Sequence, residues 1–255
     1  MKVTSYEPGM FCWVELATTD AKAAKSFYTG LFGWKVNEIP MGDQGTYFIF
    51  QKDGNDAGAM YEQSPQEKKE RIPPHWNSYI SVKDADAAAK KAAGLGGQVV
   101  AGPFDVMDIG RMAFVADPHR AMFAVWQPKK RNGATVINEP GALCWNELYS
   151  SDIEASRKYY SSLFGWKLEP SPEYTEIHVG DRGVGGMMQI SKEMGGMPPM
   201  WMPYFMVSDA EATCKKTQSL GGKVHKPAAD IPKVGRFAVL ADPQGASFAI
   251  IKISM

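Results

Sequence analysis

The sequence lacks the features that would direct it to a membrane. It contains no run of about 18 apolar residues, and its N-terminal stretch "MKVTSYEPGMFC" has no apolar core of the kind that a secretion signal needs. Apolar residues still make up 44% of the 255 residues, which is typical of a globular chain with a substantial core. We therefore expect a cytoplasmic protein with no membrane partner.

The sequence also has little charge imbalance, cysteine or histidine. Its 28 basic residues balance 28 acidic ones, so no net field favours nucleic acid as a partner. Three cysteines cannot all pair with one another, and only four histidines are available for a metal site. No GxGxxG follows a strand, and no phosphate-loop, CxxC or HExxH motif occurs. These absences exclude the common short nucleotide-binding and metal-binding motifs.

The sequence does contain a long internal repeat. "PGMFCWVELATTD" begins at Pro8 and "PGALCWNELYSSD" at Pro140, and the 29 positions that start there contain 14 identities without a gap. Later in each half, "SYISVKDADAAAKKAAGLGG" matches "PYFMVSDAEATCKKTQSLGG", and "GRMAFVADP" matches "GRFAVLADP". Such self-similarity indicates an internal duplication. We expect one domain at 8–128, a linker at 129–139 and a second domain at 140–255.

Each half carries the same order of secondary-structure signals twice. "FCWVEL" alternates as a strand does, Thr19 or Asp20 offers an N-cap, and apolar residues from Ala24 to Leu31 recur at helical spacing. Short β-rich runs follow, and the order begins again at "NSYISV". The pattern predicts four βαβββ units in an α+β fold. We interpret the segment "QSPQEKKERIPPHW", rich in proline and charge, as a connecting loop.

The helix ending "FY..LFGW", the hairpin sequences "ADPHR" and "ADPQG", and the tandem βαβββ units together carry a resemblance. The chain resembles the vicinal-oxygen-chelate superfamily, which includes glyoxalase I, bleomycin-resistance proteins and extradiol dioxygenases. The resemblance covers nearly the whole chain and implies two glyoxalase-like domains with cup-shaped mixed sheets. It leaves the function open, because this scaffold hosts isomerases, dioxygenases, lyases and binding proteins.

The resemblance also implies positions for a divalent metal, held in catalytic members by His, Glu or Gln from the first and last strands of the paired units. Indole, thioether and methyl groups occupy most of these positions here, and only the amide of Asn77 offers an oxygen. A register slip of two residues would instead bring His75 or Glu15 into the first cup and Glu147 into the second. We expect no metal and no other cofactor, with an atypical divalent metal site as the alternative. The matching positions are Trp13, Asn77, Met60 and Ala124 in the first half and Trp145, Met202, Met187 and Ala249 in the second.

Strand alternation predicts which side chains face each cup. If Trp13 points inward, so do Phe11 and Glu15, and Trp145 with Glu147 repeats the pattern. A carboxyl group buried beside an indole has a raised pKa, which suits a general acid or base. The alternative is that Glu15 and Glu147 are hydrogen-bonded to Tyr79 and Tyr204, or to Arg111 and Arg236, and serve only the structure. We take Glu15 and Glu147 as candidate catalytic residues.

The candidate ligand-binding residues come from the same alternation and from the two "GR" dipeptides. An arginine in that place is able to bind a carboxylate or phosphate with two parallel hydrogen bonds, although pairing with an acidic neighbour is the more frequent role. The set consists of Trp13, Asn77, Tyr79, Arg111 and Trp126 in the first half and Trp145, Met202, Tyr204 and Arg236 in the second.

The residues favour a metal-independent protein that binds a small apolar or aromatic molecule by stacking on Trp13 or Trp145. The alternative is an enzyme of the glyoxalase or dioxygenase type, a lyase, isomerase or oxygenase, using an atypical metal site or a glutamate as general base. A purely structural or interaction module is a third class, because the fold often dimerises. The two halves of one chain are able to supply that pairing themselves, so we expect a monomer or a homodimer.

Overall fold

The computed structural model describes residues 1–254 and contains two eight-stranded mixed sheets, as the α+β prediction requires. In the first sheet the strands, numbered along the chain, lie in the order second, third, fourth, first, fifth, eighth, seventh and sixth, and the second sheet repeats this order. Each sheet is made by two βαβββ units, so the chain consists of two glyoxalase-like domains.

The bounds of the elements follow the duplication. The strands of the first sheet are β1 (Phe11–Thr18), β2 (Lys35–Pro40), β3 (Thr46–Lys52), β4 (Asn55–Glu62), β5 (His75–Ser81), β6 (Gln98–Val106), β7 (Gly110–Ala116) and β8 (Met122–Pro128). Those of the second are β9 (Leu143–Ser150), β10 (Lys167–Pro170), β11 (Thr175–Val179), β12 (Arg182–Gln189), β13 (Met200–Met206), β14 (Lys223–Ile231), β15 (Gly235–Ala241) and β16 (Ser247–Ile253). The helices are α1 (Ala21–Phe32), α2 (Pro65–Lys69), α3 (Ala85–Gly94), α4 (Ile153–Phe164) and α5 (Ala210–Ser219), with short 3-10 helices at Gly42–Gln44 and Lys192–Met194.

The first helix begins and ends where the sequence predicts. The Asp20 side chain accepts a hydrogen bond from the Ala23 N–H, which satisfies one of the free amides of the first turn. Gly33 takes a left-handed conformation at the other end, with φ of 72°, and its N–H caps the Thr29 carbonyl. The predicted apolar stripe is the buried face of α1, so local signals alone position this helix.

One short helix was missed by the sequence analysis. The segment interpreted as a connecting loop contains α2, which begins after Ser64 with a complete capping box between Ser64 and Glu67. The pattern Ser-x-x-Glu with proline at the first helical position is a helix-start signal, and it was outweighed by the charge and proline of the segment. This correction matters because α2 borders the first cup.

A bulge in the first strand of each domain changes the alternation. In β1 the pairing with β5 shifts register between Phe11 and Trp13, and β9 shifts in the same way at Cys144. The bulge turns Phe11 to the helix side of the sheet, where it packs against Trp166 and Trp201. The expectation that Phe11 faces the cup is therefore wrong.

The helical faces of the two sheets pack against each other and share their cores. One core cluster joins α1 and β1 of the first domain to Phe205 and Phe248 of the second. The other joins β5, α3 and β8 of the first domain to α4 and Trp201 of the second. Each βαβββ unit therefore completes its apolar core with the opposite unit of the other domain, and both cups lie on the outer faces.

The repeated motifs supply the hydrogen bonds of this interface. The Trp34 indole donates to the Gly141 carbonyl at 2.7 Å, and the Trp166 indole donates to the Gly9 carbonyl at 2.9 Å. Each tryptophan of a "LFGW" segment thus binds the "PG" dipeptide that precedes the first strand of the other domain. A buried bond is worth about 1 kcal/mol net and costs more when one partner is lost, so these contacts fix the relative position of the domains.

A second pair of hydrogen-bond chains crosses the interface through the "ADP" turns. The Tyr28 hydroxyl donates to Asp242 at 3.1 Å and accepts from the Trp76 indole at 3.0 Å. In the mirror position the Tyr160 hydroxyl donates to Asp117 at 3.1 Å, and the Trp201 indole donates to Tyr160. The motifs retained by both halves are therefore mainly interdomain contacts.

In residues 1–254 no helix is long and apolar enough to cross a membrane.

Candidate ligand-binding cup

The first cup contains a cavity of about 1190 Å³. Its floor is the outer face of the central strands, where Trp13, Glu15 and Tyr79 lie side by side on β1 and β5. Trp126 of β8 closes one side, and the helix α2 with its Glu67 borders the other. The volume exceeds the roughly 300–1,000 Å³ of most small-molecule pockets, so a ligand of two or three fused rings has room.

Aromatic and apolar side chains dominate the wall of this cavity. They come from six strands and from the β6–β7 hairpin, whose tip residue Met107 is 61% exposed at the mouth. The aromatic and apolar lining residues are Trp13, Ile39, Tyr47, Phe48, Ile49, Tyr61, Tyr79, Phe104, Val106, Ile109, Met112, Phe114 and Trp126.

Glu15 is the buried acidic group of this wall, and two phenols bind it. The Tyr47 hydroxyl donates to Glu15 Oε1 at 2.6 Å, and the Tyr79 hydroxyl donates to Glu15 Oε2 at 2.7 Å. The Trp13 indole N–H donates in turn to the Tyr47 hydroxyl at 3.4 Å. The side chains of Trp13 and Glu15 are 6% and 7% exposed, so this chain of hydrogen bonds is nearly dry. These contacts agree with the structural alternative, in which tyrosine hydroxyls supply the hydrogen bonds that the buried carboxyl group needs. The same three side chains also line the cavity.

The second cup repeats the arrangement around Glu147. The Tyr204 hydroxyl donates to Glu147 Oε1 at 2.7 Å, and the Trp145 indole donates to the Tyr174 hydroxyl at 2.9 Å. The register of the two sheets makes Tyr174 the equivalent of Tyr47. A Cβ on Gly186, which pairs with Glu147, would come within 1.9 Å of the Tyr174 hydroxyl. Glycine at that position lets the phenol reach the carboxyl group.

Burial controls the acidity of both glutamates. Desolvation raises the pKa of the Glu15 carboxyl above its ordinary value, and the hydrogen bonds from Tyr47 and Tyr79 oppose that rise. Burial likewise raises the pKa of Glu147, against the opposing effect of its tyrosines. A carboxyl group with a raised pKa exchanges protons closer to neutral pH, which suits both hydrogen bonding to a ligand and proton transfer.

Replacing both glutamates, by Glu15→Gln with Glu147→Gln, should flatten the dependence of stability on pH. The folded-state pKa values lie above that of an unfolded glutamate, about 4.3. The carboxyl groups therefore stabilise the fold most below that pH, and this contribution is lost as pH rises through the folded-state pKa values. Urea unfolding at about pH 4, 6 and 8 should show the wild type losing stability relative to the double variant as pH rises.

The matched control for this experiment is Glu38→Gln, which removes an exposed carboxyl group that pairs with Lys25. We expect the control to leave the pH dependence unchanged, because an exposed ion pair contributes about 0–1 kcal/mol at most. Parallel pH curves for the wild type and the double variant would contradict the raised pKa of the buried carboxyl groups.

The two arginines proposed as ligand-binding residues lie outside the cups, which corrects that expectation. Arg111 is bonded to Asp86 at 2.6 Å and to Asp105 at 3.3 Å, on the helix side of β7. Arg236 is bonded to Glu211 and, at 3.0 Å, to Asp230. The "GR" strand turns each guanidinium toward the first turn of the neighbouring helix, so both residues have the acidic partners that the alternative described.

The remaining predicted residues face the cups. Asn77 pairs with Glu15 and Met202 pairs with Glu147 on the cup face of the adjoining strands. Ala124 packs with Trp13 and Tyr79 in the first cup, and Ala249 packs with Met202 and Tyr204 in the second. Met60 and Met187 instead lie in the shared core, because they pair with the helix-facing Leu16 and Leu148. The placement of those two methionines at a metal position was therefore wrong by one residue.

The residues present do not fit the divalent metal that the resemblance implies. The cup-facing positions next to Met60 hold Ala59 and Tyr61, and the other three positions hold Trp13, Asn77 and Ala124. Among residues 1–254 no group of three or more His, Cys, Asp or Glu side chains converges as a metal site needs. The nearest acidic group, Glu15, has both oxygens engaged by phenols.

The second cup differs from the first in the side chains around its glutamate. Met202 and Ile251 stand where the first cup has Asn77 and Trp126. Flexible thioethers pack over the floor of this cup, so its surface is more adaptable and less aromatic. The methionines packed against its core are Met188, Met194, Met197 and Met200.

Several residues of the first cup were not found from the sequence. Tyr47 and Tyr61 lie on β3 and β4, whose alternation in "TYFIF" and "AGAMY" was a usable signal. Arg131 and Gly133 belong to the predicted linker at 129–139, yet both line the cavity. No local pattern marks them, because their position depends on how the chain leaves β8 and crosses the open side of the first sheet.

Paired βαβββ units that form an outward-facing cup define a tandem glyoxalase-like protein. The chain belongs to the Glyoxalase/Bleomycin resistance protein/Dioxygenase superfamily, whose family model matches residues 11–125 and 142–250. This membership confirms the resemblance drawn from the sequence.

Two curated relatives match over nearly the full chain. The chain is 42% identical over 257 residues to "Putative glyoxylase CFP32" of Mycobacterium tuberculosis (98% of this chain and 97% of that protein). It is 34% identical over 267 residues to "Anthracycline biosynthesis protein DnrV" of Streptomyces peucetius (98% and 96%).

Solved structures share the fold at low sequence identity. The Mn(II)-bound glyoxalase from Novosphingobium aromaticivorans superposes with a TM-score of 0.68 at 12% identity, covering 96% of this chain and 82% of that one. The 2,3-dioxygenase LapB from Pseudomonas sp. KL28 gives a TM-score of 0.67 at 13% identity, covering 98% and 94%. At such identities the likeness concerns the fold alone.

Proposed function

We propose that the protein binds a small, largely apolar aromatic molecule in the first cup without a metal or other cofactor. The observation that carries this proposal is the large cavity lined by aromatic rings, with a buried carboxyl group on its floor. Trp13 is already 6% exposed, so an aromatic ligand would contact the part of its ring that borders the cavity. An aromatic pair of this kind contributes about 0.5–1.5 kcal/mol beyond the buried area.

Glu15 supplies the polar contact of this proposal. Its two oxygens already accept hydrogen bonds from Tyr47 and Tyr79, so the group is held rigidly at the floor of the cavity. A carboxylate retains further lone pairs for a hydroxyl or amine group of a ligand, and a protonated carboxyl group is able to donate. Fixed polar groups in an otherwise apolar pocket orient a ligand rather than provide most of its affinity.

One of the two relatives is compatible with an aromatic ligand, while the name of the other, a putative glyoxylase, refers to the enzyme alternative. The name of DnrV refers to the biosynthesis of anthracyclines, which contain planar fused rings, and that relative matches almost the whole chain. A planar polycyclic molecule of this kind suits a cavity of about 1190 Å³ with an indole at its floor. We propose the chemical class, fused aromatic rings, and no particular compound.

The test is the binding of N-phenyl-1-naphthylamine, a neutral aromatic probe that fluoresces in apolar pockets, measured with a metal chelator present. Trp13→Ala should weaken its binding by about tenfold, because the stacking surface is lost. Trp145→Ala, the same change in the second cup, is the matched control and should leave the affinity within about twofold of the wild type. Thermal unfolding checks that both variants are folded.

Two results would contradict the proposal. If Trp13→Ala and Trp145→Ala weaken probe binding equally, the assignment of the ligand to the first cup is wrong. If the chelator abolishes probe binding, binding requires a metal. The alternative function, an enzyme that transfers a proton through Glu15, requires the carboxyl group itself. Glu15→Gln keeps an acceptor oxygen for one phenol and offers an N–H donor to the hydroxyl oxygen of the other, so lost turnover with retained probe binding would mark catalysis.

A further inference from the structure

The chain that leaves the first sheet is fixed against the wall of the first cup. The Arg131 N–H donates to the Ile109 carbonyl at 3.1 Å, and the Trp126 indole donates to the Arg131 carbonyl at 3.0 Å. Both bonds tie the segment to residues that line the cavity. The position of the Arg131 backbone is therefore as well defined as that of the strands beside it.

Gly133 shows how closely the segment approaches the first strand. Its φ is 138°, and a Cβ there would lie 2.2 Å from the Cys12 carbonyl oxygen. The next residue, Ala134, donates its N–H to the same oxygen at 2.8 Å. Glycine allows this contact because it has no side chain and accepts the left-handed region. The segment thus forms a rim of the cup, and this rim is hydrogen-bonded to the strand that carries Trp13.

The Arg131 side chain extends from this rim over the cavity. Its guanidinium carbon lies 5.9 Å from the centroid of the Trp13 ring, within the range of a cation–π contact. Nη1 is 3.2 Å from Asp56 Oδ2, and the side chain remains 31% exposed. Burial and the charge of Glu15 raise the pKa of Tyr47, and the positive charge of Arg131 opposes that rise.

The pairing of Arg131 is incomplete compared with that of the other arginines discussed above. Arg111 and Arg236 each contact two carboxylates outside the cups. Within residues 1–254 the ion pair of Arg131 is one contact with Asp56, which also accepts a bond from Gln51 at 3.0 Å. A guanidinium has five N–H donors, so most of those on Arg131 are free to meet a ligand.

We infer that Arg131 binds an acidic oxygen group of the aromatic ligand whose rings stack on Trp13. The inference rests on the proposed function and adds the ligand class, an aromatic molecule that carries a sulfonate, carboxylate or ionised phenol. A guanidinium above an indole presents its edge to such a group and binds two of its oxygens in parallel. The segment expected to be only a linker is in this view part of the binding site.

The test compares two probes that differ by one sulfonate: 8-anilinonaphthalene-1-sulfonate, which is anionic, and neutral N-phenyl-1-naphthylamine. Arg131→Gln should lower the affinity for the anionic probe by about tenfold and that for the neutral probe by less than twofold. Asp56→Asn should have the opposite effect and strengthen the anionic probe severalfold, because it removes the carboxylate that competes for the guanidinium.

Lys130→Gln is the matched control, since it removes one positive charge from the adjacent residue. Its ammonium group is 72% exposed and pairs with Asp108 outside the cavity. We expect the control to change neither probe by more than twofold, which separates a local contact from the net field of the protein. Thermal unfolding of all three variants establishes that they are folded.

The outcomes separate the inference from the function on which it rests. If both probes bind the wild type but Arg131→Gln weakens them equally or leaves both unchanged, the role of Arg131 is wrong and the aromatic cup stands. If neither probe binds the wild type saturably, the proposed function fails and the inference fails with it. A selective loss of the anionic probe supports both.

Discussion

Replacing Trp201 by alanine should lower the free energy of unfolding by about 3–5 kcal/mol, and the loss should be felt by both domains. The side chain is 2% exposed and lies in the shared core, with ring centroids 5.0 Å from Phe11 and 5.9 Å from Trp166. Its indole also donates to Tyr160 at 2.9 Å. Chemical denaturation should show a single transition shifted to lower denaturant, with amide protons of β1 in the first domain exchanging faster.

The control for that experiment is Trp126→Ala, a change of the same residue type on the cup face of β8. Trp126 is also buried, yet it borders the open cavity, so its removal enlarges a space that water already enters. We expect the cost to be smaller than at Trp201 by 1 kcal/mol or more, because no empty void forms in a closed core. If the amide protons of the first domain exchange at the wild-type rate in Trp201→Ala, that result would contradict a core shared by the two domains.

Dividing the chain between Asn138 and Glu139 should abolish the folded monomer of each half. Separated halves would expose the apolar faces of the helices that the two core clusters bury, together with the partners of Trp34 and Trp166. A large apolar face exposed to water favours aggregation or self-association. Size-exclusion chromatography and near-ultraviolet circular dichroism of each fragment should show no compact monomer with fixed aromatic packing.

Co-expression of the two fragments is the matched control, since only the covalent link is then missing. We expect the pair to assemble one to one and to recover binding of N-phenyl-1-naphthylamine. The interdomain contacts remain intact, and linking two parts changes their effective concentration rather than their contacts. A stable, monomeric first half with native circular dichroism would show that the first domain does not depend on the second.

The sequence predicted the fold well because its signals are local and occur twice. The caps at Asp20 and Gly33, the stripe of α1 and the alternation of β1 each act within a few residues, and the duplication repeats them. The resemblance implied that Trp13 faces the cup, and the position of Glu15 followed from that by alternation. Tyr79 was named as a possible partner of Glu15, and the structure shows that hydrogen bond. Tyr47 was not named, because the sequence does not show where β3 lies in the sheet relative to β1.

The errors have physical causes of a different kind. The bulge at Cys12 turns the Phe11 side chain to the opposite face of the sheet. A bulge adds one residue to a strand, so alternation with a period of two places the residue beyond the bulge on the wrong face. The "GR" arginines lie outside the cups, because their acidic partners belong to the first turn of the neighbouring helix and to the adjacent edge strand. Motifs that both halves retained proved to bind the domains together, so retention by itself did not distinguish interface from site.

The outward orientation of the two cups has a consequence for how the protein changes over time. Among residues 1–254 the side chains clustered in each cup come from the part of the chain that forms that cup, while both domains depend on the two shared core clusters. A substitution on one outer face therefore leaves the other face and the common scaffold intact. The exchange of Asn77 and Trp126 for Met202 and Ile251 is the kind of drift such independence permits. The second cup is therefore able to differ from the first in its surface while its strands and helices still complete the shared interior.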